Sequence, residues 1–158
     1  MAKAHEIEGL TPELPYREAA RLTVEVRARE LFAHAEGVLD VGDPERVHDM
    51  RVASRRLRAA LEIYAPCFEA GLYRDVLAEV KALADALGAR RDPDVQLLAL
   101  GALVEAMGPE EQAGLELLAA DRRAERAAGN EVLEAALRRA EEDDLAGRLR
   151  ALAAGAAA

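Results

Sequence analysis

The sequence predicts an all-α fold, an antiparallel bundle of about four to six helices that forms one domain. Its apolar residues are mainly Ala, Leu and Val, whereas aromatic residues make up only 3% of the chain and Trp is absent. These apolar residues recur at the spacing of one helix face, and no segment shows the alternation of a β-strand. We place the bundle at residues 15–152, between a flexible segment, 1–14, and an Ala-rich tail, 153–158.

The first predicted helix begins at Pro15 and runs to about Gly37. Its apolar residues are spaced by threes and fours, so they would share the face that packs on the core. They are Ala20, Val24, Ala28, Leu31, Ala35 and Val38.

The second predicted helix begins at Pro44 and runs to Tyr64. Gly42 stops the preceding segment, and Asp43 can cap the N–H groups of a helix whose first residue is proline. Pro66 ends the helix.

The third predicted helix covers Leu72–Leu87, and Gly88 stops it. A short loop is expected from Gly88 to Arg91. The pair Asp92 and Pro93 repeats the arrangement of a capping residue followed by proline, which predicts the start of a fourth helix that runs to about Met107.

The fifth predicted helix follows a turn at Gly108 and Pro109 and extends to about Arg139. Glycine in a helix interior weakens the helix, so we expect a break near Gly129. The residues after Asp143 are expected to form a short terminal helix.

The charge balance and the cysteine content limit the functions that the chain can have. The formal net charge of −9 argues against general nucleic-acid binding, which needs a broad positive surface, so any anion site must be local. A single cysteine, Cys67, cannot form an intramolecular disulfide, and no Cys/His cluster has zinc-ligand spacing. Neither a signal peptide nor a membrane-spanning stretch is evident, so we expect a cytoplasmic protein without membrane association.

One predicted helix concentrates positive charge. The segment RVHDMRVASRRLRAAL, residues 46–61, holds five arginines and one histidine against the single acid Asp49. At about 100° per residue, four of these side chains form a stripe about 80° wide. The four are His48, Arg51, Arg55 and Arg58. Arg56 projects elsewhere, and a core face lies beside the stripe, formed by Met50, Ala53, Ser54, Leu57, Leu61 and Tyr64.

This stripe lacks acidic residues that would neutralise it. Arginines three and four positions apart on a helix repel one another. Glu62 joins the stripe only at its C-terminal end. The pattern predicts that a bound anion, or acids from another helix, supply the missing negative charge.

A second stretch, LGARRDPDVQLL, places Arg90 and Arg91 just before the helix predicted at Pro93. The unpaired N–H groups and the dipole of a helix N-terminus favour anions. We interpret Asp92 and Asp94 as ordinary capping residues rather than metal ligands, although they could also orient Arg90 or Arg91.

The two motifs VHDMRVASRRLR and LGARRDPDV resemble the CHAD family, the conserved histidine α-helical domain, and a weaker terminal similarity ends in LAGRLRALAA. The resemblance implies a helical bundle that binds inorganic polyphosphate through basic residues lining a groove. Carried over by position, the main contacts would be His48, Arg51, Arg55 and Arg58. Secondary contacts would be Arg56, Lys81, Arg90 and Arg91.

The chain is short for a member of this family, because a typical member has two related helical halves and this chain corresponds to the first half only. The segment after Pro109 supplies Arg122, Arg123 and Arg126 but no second copy of the histidine motif. We therefore expect a homodimer in which two CHAD half-domains face each other across a shared groove. Granules of polyphosphate in the cytoplasm are a candidate location.

Three other functions compete with polyphosphate binding. Phosphoryl transfer requires metal-holding carboxylates or a Gly-rich phosphate loop, and the sequence shows neither, so we expect no catalysis, no metal and no cofactor. A structural adaptor could pair the basic stripe with an acidic partner face such as residues 141–144. Nucleic acid ranks below the adaptor, because few aromatic side chains are present to stack on bases.

Overall fold

The computed structural model describes residues 3–156, and within them the chain is all-helical with no strand. The helices are α1 (Tyr16–Ala33), α2 (Pro44–Ile63), α3 (Ala70–Ala106), α4 (Pro109–Glu142) and α5 (Leu145–Ala156), with a short 3-10 turn at Ala65–Cys67. The predicted all-α bundle is confirmed. None of the helices described is long and apolar enough to cross a membrane.

The start of α2 follows the predicted capping pattern. Asp43 precedes the helix and its side chain accepts a hydrogen bond of 3.3 Å from the backbone N–H of Glu45. Pro44 is the first helical residue, where its missing N–H is not needed. The segment that joins α1 to α2 turns at Gly37, whose φ of 70° is readily adopted by glycine.

The prediction that Gly88 to Arg91 form a loop is wrong, and so is the helix start at Pro93, because α3 runs unbroken through both. Pro93 has no N–H, so the carbonyl of Ala89 lacks its usual helical donor. That carbonyl lies against α4, where a Cβ placed on Gly129 would stand 2.9 Å from the Ala89 oxygen. The missing hydrogen bond therefore falls where the two helices approach each other closely.

The predicted break of the next helix at Gly129 is also wrong, because α4 is continuous over 34 residues. Gly129 serves close packing, since any side chain there would meet the backbone of Ala89 and Arg90 in α3. The turn predicted at Gly108 and Pro109 is confirmed, with Gly108 preceding the helix and Pro109 beginning it. The short terminal helix is confirmed as α5.

The main core lies among α1, α2, α5 and the neighbouring halves of α3 and α4. On α3 its last buried member is Leu87, and on α4 its first is Leu133. The predicted inward residues of the first two helices are buried, apart from Ala35 and Tyr64, which are half-buried. The far parts of α3 and α4, residues 95–128, contribute nothing to this core, and we call this segment the arm.

The two ends of the described chain pack on α1. Arg17 donates hydrogen bonds to the carbonyls of Cys67, at 3.4 Å, and Ala156, at 3.2 Å. Ala156 is buried within α5, so residues 153–156 of the predicted tail are helical, whereas 157 and 158 lie outside the described residues. In the segment before α1, the backbone N–H of His5 donates to the buried carboxylate of Glu30. The predicted flexibility of 1–14 stays a prediction, and residues 1 and 2 lie outside the described part.

Candidate functional site

The side chains predicted to bind an anion lie on α2, and we call the set His48, Arg51, Arg55 and Arg58 the basic face. Helical spacing sets these four positions beside the core residues of the same helix, of which Met50 and Leu57 are fully buried. Arg55 and Arg58 are exposed, whereas His48 and Arg51 are half-buried. The arrangement gives α2 one side in the core and a neighbouring side with access to solvent.

Arg51 lies along the neighbouring helix α3. Its Nε would be 3.9 Å from a Cβ placed on Gly88, an ordinary van der Waals distance, so Gly88 lies directly beside this guanidinium. Within residues 3–156, the side chains of Arg51 and Arg55 make no ion pair and no hydrogen bond. Two adjacent cationic groups therefore have no carboxylate that compensates them in the described part of the chain.

The C-terminal end of the basic face is partly neutralised. The carboxylate of Glu62 accepts a hydrogen bond of 3.0 Å from Arg58 Nε and lies 3.5 Å from Lys81 Nζ of α3. The hydrogen bond from Arg58, with support from Lys81, lowers the pKa of Glu62 below its usual value. Glu62 therefore remains ionised at neutral pH and competes with any other anion for these two cations.

Arg91 lies at the opposite end of the basic face, where α2 begins. Its Nη1 donates a hydrogen bond of 3.1 Å to the carbonyl of Pro44, and its Nη2 is 3.6 Å from the Glu45 carboxylate. Its side chain is 11% exposed. Because no helix begins at Pro93, the predicted anion site at that helix N-terminus does not exist.

Arg90 is inside the protein rather than on its surface. Its side chain is fully buried, forms an ion pair with Asp94 one turn later, and donates a hydrogen bond of 3.0 Å to Asn130 Oδ1 of α4. The amide of Asn130 in turn donates to the carbonyl of Leu39, at 3.1 Å. Arg90 therefore joins α3, α4 and the segment after α1, and it cannot contact a ligand at the surface.

The interpretation of Asp92 and Asp94 as helix-capping residues is wrong, because α3 is continuous and no helix begins there. Asp94 is buried and orients Arg90, as the alternative interpretation predicted, and Arg126 of α4 lies 3.7 Å from it. Asp92 is exposed. Arg56 is half-buried and already interacts with a neighbouring group.

One group of side chains could hold a metal ion, although no metal site is predicted from the sequence. Glu45, His48 and Asp49 each offer a ligand atom, and these atoms lie within 4.8 Å of one another. The signal in the sequence was their spacing of three and four residues at the start of a helix. Exposed acidic groups are common without a metal, and Arg91 already lies beside Glu45.

Fold and geometry together define a small all-α domain whose second helix carries a row of cationic side chains. The family model of the CHAD domain matches residues 23–158, so the chain belongs to the CHAD domain family. This family is of a binding rather than a catalytic type, and membership is consistent with polyphosphate binding in general. No curated protein and no solved structure matches the chain.

Proposed function

We propose that this protein binds inorganic polyphosphate, without catalysis, along the basic face of α2. The observation that carries the proposal is the pair Arg51 and Arg55, whose side chains have no acidic partner within residues 3–156. Like charges this close disfavour the helix unless a counterion is bound. Family membership supports polyphosphate as that counterion.

Arginine suits this ligand because its planar guanidinium makes paired, charge-assisted hydrogen bonds to phosphate oxygens. Arg51 and Arg55 are one helical turn apart, so they can engage phosphates further along the same flexible chain. Arg58 and Lys81 contribute once phosphate displaces Glu62. His48 donates at the other end, where Glu45 and Asp49 compete for it.

The residues predicted as secondary contacts do not all belong to the proposed binding site. Arg91 lies at the N-terminal end of the basic face and extends it, although its side chain is mostly covered. Arg56 is kept as a minor contact. Arg90 is left out, because burial and its pairing with Asp94 give it a structural role.

We further propose that the protein acts as a homodimer in the cytoplasm, where a second copy supplies the opposite wall of the groove. Polyphosphate granules are the proposed location. A single basic face open on one side would bind weakly, since fewer phosphates are engaged at once.

A calorimetric titration with long-chain polyphosphate tests the site. The double variant Arg51→Ala/Arg55→Ala should lose at least about 100-fold in affinity, because each arginine contributes roughly 1.5–3 kcal/mol as a charged donor. The matched control is Arg29→Ala/Arg150→Ala, which removes two exposed arginines of α1 and α5 that likewise have no partner within residues 3–156.

The control should retain most of the affinity, and both variants should keep the helical circular dichroism of the parent. Equal losses of affinity in the two variants would mean that binding depends on net charge alone, and the proposed site would be wrong.

A second candidate function is that of an adaptor whose basic face binds an acidic segment of another protein. The exposed apolar side chains of the arm favour some protein contact. Two results together would support the adaptor instead. The parent protein would fail to bind polyphosphate, and it would bind an acidic helical peptide in a way that depends on Arg51 and Arg55.

A further inference from the structure

A groove follows α1 on a side of the molecule to which α2 contributes none of the residues that the structure describes. Its first part, of about 750 Å³, lies between α1 and α5. Its second part, of about 480 Å³, lies between the C-terminal end of α1 and that of α4. Both parts are lined by Phe32 and Ala146, so they are continuous, and we call them together the α1 groove. Because α2 carries the basic face, this groove is separate from the proposed polyphosphate site.

The floor of the α1 groove is apolar and runs along the helix axes. It consists of alanines together with the larger side chains of Phe32, Leu39 and Leu137. On α5 the lining residues are Ala146, Arg150 and Ala154, which are four positions apart and therefore share one side of the helix. Such a floor allows a further helix to pack lengthwise between its neighbours.

The part of the groove between α1 and α5 is open to solvent along its length. Ala33 and Arg29 of α1 are exposed there, and so are Arg150 and Ala154 of α5. A pocket for a small molecule usually encloses most of the surface of its ligand. An open groove between two helices instead favours an amphipathic helix, which lays its apolar side along the floor.

Two arginines at one end of the groove have no acidic partner. Arg29 of α1 and Arg150 of α5 form no ion pair and no hydrogen bond within residues 3–156. Glu25 lines the same end, but Arg21 already binds its carboxylate at 3.0 Å. Two acids before α1 line a neighbouring depression without forming an ion pair with Arg29, and they are Glu6 and Glu8. This end of the groove therefore presents positive charge to a partner.

The opposite end of the groove is acidic. Glu134 and Glu141 of α4 have no cationic partner in the described part of the chain. Arg138 lies between them in sequence, but its Nε is 3.9 Å from the carboxylate of Glu142. Asp144 adds a further carboxylate, which accepts a hydrogen bond from the α5 backbone. The α1 groove thus has uncompensated charge of opposite sign at its two ends.

We propose that the α1 groove binds an amphipathic helix of a partner protein that carries acids at one end and bases at the other. The acids would pair with Arg29 and Arg150, and the bases with Glu134 and Glu141. A helix is most stable with acids in its first turn and bases in its last turn, so the partner would run in the same direction as α1. The protein would then hold a partner on this side and polyphosphate on the basic face.

Fluorescence anisotropy with a labelled synthetic peptide tests this inference without polyphosphate. The peptide is a helix of about 18 residues, about 27 Å long, with Glu in the first turn, Lys in the last turn, and Leu and Ala on one side. Arg29→Glu/Arg150→Glu should weaken its binding at least about tenfold, because two attractive pairs become repulsive. The same variant should bind more tightly than the parent protein to a peptide with Lys at both ends.

The matched control is Lys3→Glu/Arg74→Glu, which reverses two exposed cations that do not line the groove. It should leave the affinity for both peptides nearly unchanged. A second pair of variants tests the floor. Ala154→Gln should weaken binding about tenfold, because it keeps the apolar side of the peptide away from the floor. Ala151→Gln, at an exposed alanine of α5 outside the groove, should have little effect.

A parent protein that does not bind the peptide with Glu and Lys ends would overturn the inference, and so would equal effects of the groove variants and their controls. Sedimentation equilibrium gives a further check. A parent dimer that Arg29→Glu/Arg150→Glu converts to a monomer would mean that a second copy of the chain fills the groove, against the inference. Arg51→Ala/Arg55→Ala should keep the peptide affinity of the parent, so failure of the polyphosphate site leaves this inference standing.

Discussion

Arg58 and Lys81 come from different helices but share the carboxylate of Glu62, whereas Arg51 and Arg55 have no such partner within residues 3–156. The four cations of this surface are therefore unequal. A ligand would reach Arg51 and Arg55 without displacing a protein group, but it would have to displace Glu62 from the other two. Glu62 thus limits how many cationic side chains along α2 a polyanion can contact favourably.

Removing that carboxylate is expected to tighten binding. Glu62→Gln keeps the size of the side chain but leaves Arg58 and Lys81 without an anionic partner, so affinity for polyphosphate should rise by roughly threefold to tenfold. Isothermal titration at pH 7 measures the change. Glu134→Gln, an exposed acid of α4, removes the same charge away from the basic face and should alter affinity less. An affinity unchanged by Glu62→Gln would mean that Arg58 and Lys81 do not contact the ligand.

The ionisation of Glu30, a residue outside the basic face, makes the stability of the fold depend on pH. Its burial raises the pKa of the carboxyl, but hydrogen bonds from Arg27 and from the His5 backbone outweigh burial and lower the pKa below its usual value. A depressed folded-state pKa means that the ionised Glu30 stabilises the fold above the unfolded-state value of about 4.3, and that this contribution disappears as pH falls through the folded-state value.

Glu30→Gln should accordingly lower the free energy of unfolding at pH 7 by about 1–3 kcal/mol. Urea denaturation between pH 7 and pH 3 would show the parent protein losing its advantage over the variant as the pH falls. A constant difference between the two proteins across this range would contradict the assigned role of the carboxylate.

At the scale of the helices, the contact between α3 and α4 depends on two residues that usually disrupt helices. Pro93 leaves the Ala89 carbonyl without a helical donor, and Gly129 allows α4 to approach that carbonyl closely. The buried pair of Arg90 and Asp94 lies beside the same contact. Together they fix how the two longest helices pack.

Gly129→Ala is expected to destabilise the protein by about 1–3 kcal/mol, because its Cβ would overlap the α3 backbone and force the helices apart. Gly114→Ala is the matched control in the same helix, since a Cβ there meets nothing within 4 Å. It should stabilise the protein by about 0.5–1 kcal/mol through helix propensity. Urea unfolding compares both variants, and equal effects would contradict a close approach at Gly129.

The same local pattern, Asp followed by Pro, predicted a helix start correctly at Pro44 and wrongly at Pro93. At Pro44 the backbone N–H of Glu45, in the first turn, donates to the capping side chain of Asp43. At Pro93 the neighbouring acid, Asp94, is instead buried against Arg90. The difference comes from α4, which packs on α3 there, and local sequence carries no information about that contact.

The candidate site shows the same division between local and tertiary information. Periodicity correctly predicted which residues of α2 enter the core, such as Met50, Leu57 and Leu61, because that pattern depends on one helix alone. The position of Gly88 beside Arg51, and of Lys81 beside Glu62, depends on how α3 packs against α2. The burial of Arg90 likewise required the position of α4.

At the scale of the whole molecule, a net charge of −9 surrounds a small cationic surface. Long-range repulsion therefore opposes any polyanion until it contacts the basic face, where short-range hydrogen bonds take over. A flexible polyphosphate chain can follow one row of arginines, whereas a rigid duplex brings much of its charge against the acidic remainder. The proposed function therefore predicts that the protein binds polyphosphate in preference to a duplex.

Long-chain polyphosphate at about 100 times its dissociation constant should add roughly 2.7 kcal/mol to stability and raise the melting temperature by about 8 °C. A DNA duplex at equal phosphate concentration should raise it less. Increasing salt from about 50 to about 200 mM should weaken polyphosphate binding roughly tenfold, as expected for a few ionic contacts. Differential scanning fluorimetry with both polyanions tests the prediction, and a larger shift with DNA would contradict it.

The hydrogen bonds of Arg17 to Cys67 and Ala156 span 50 and 139 positions of the chain. Since α5 packs on α1, part of the buried side of α1 stays open to water until the chain has been made as far as α5, although α2 can cover another part of it much earlier. Chaperones have that interval in which to bind the uncovered part of the helix.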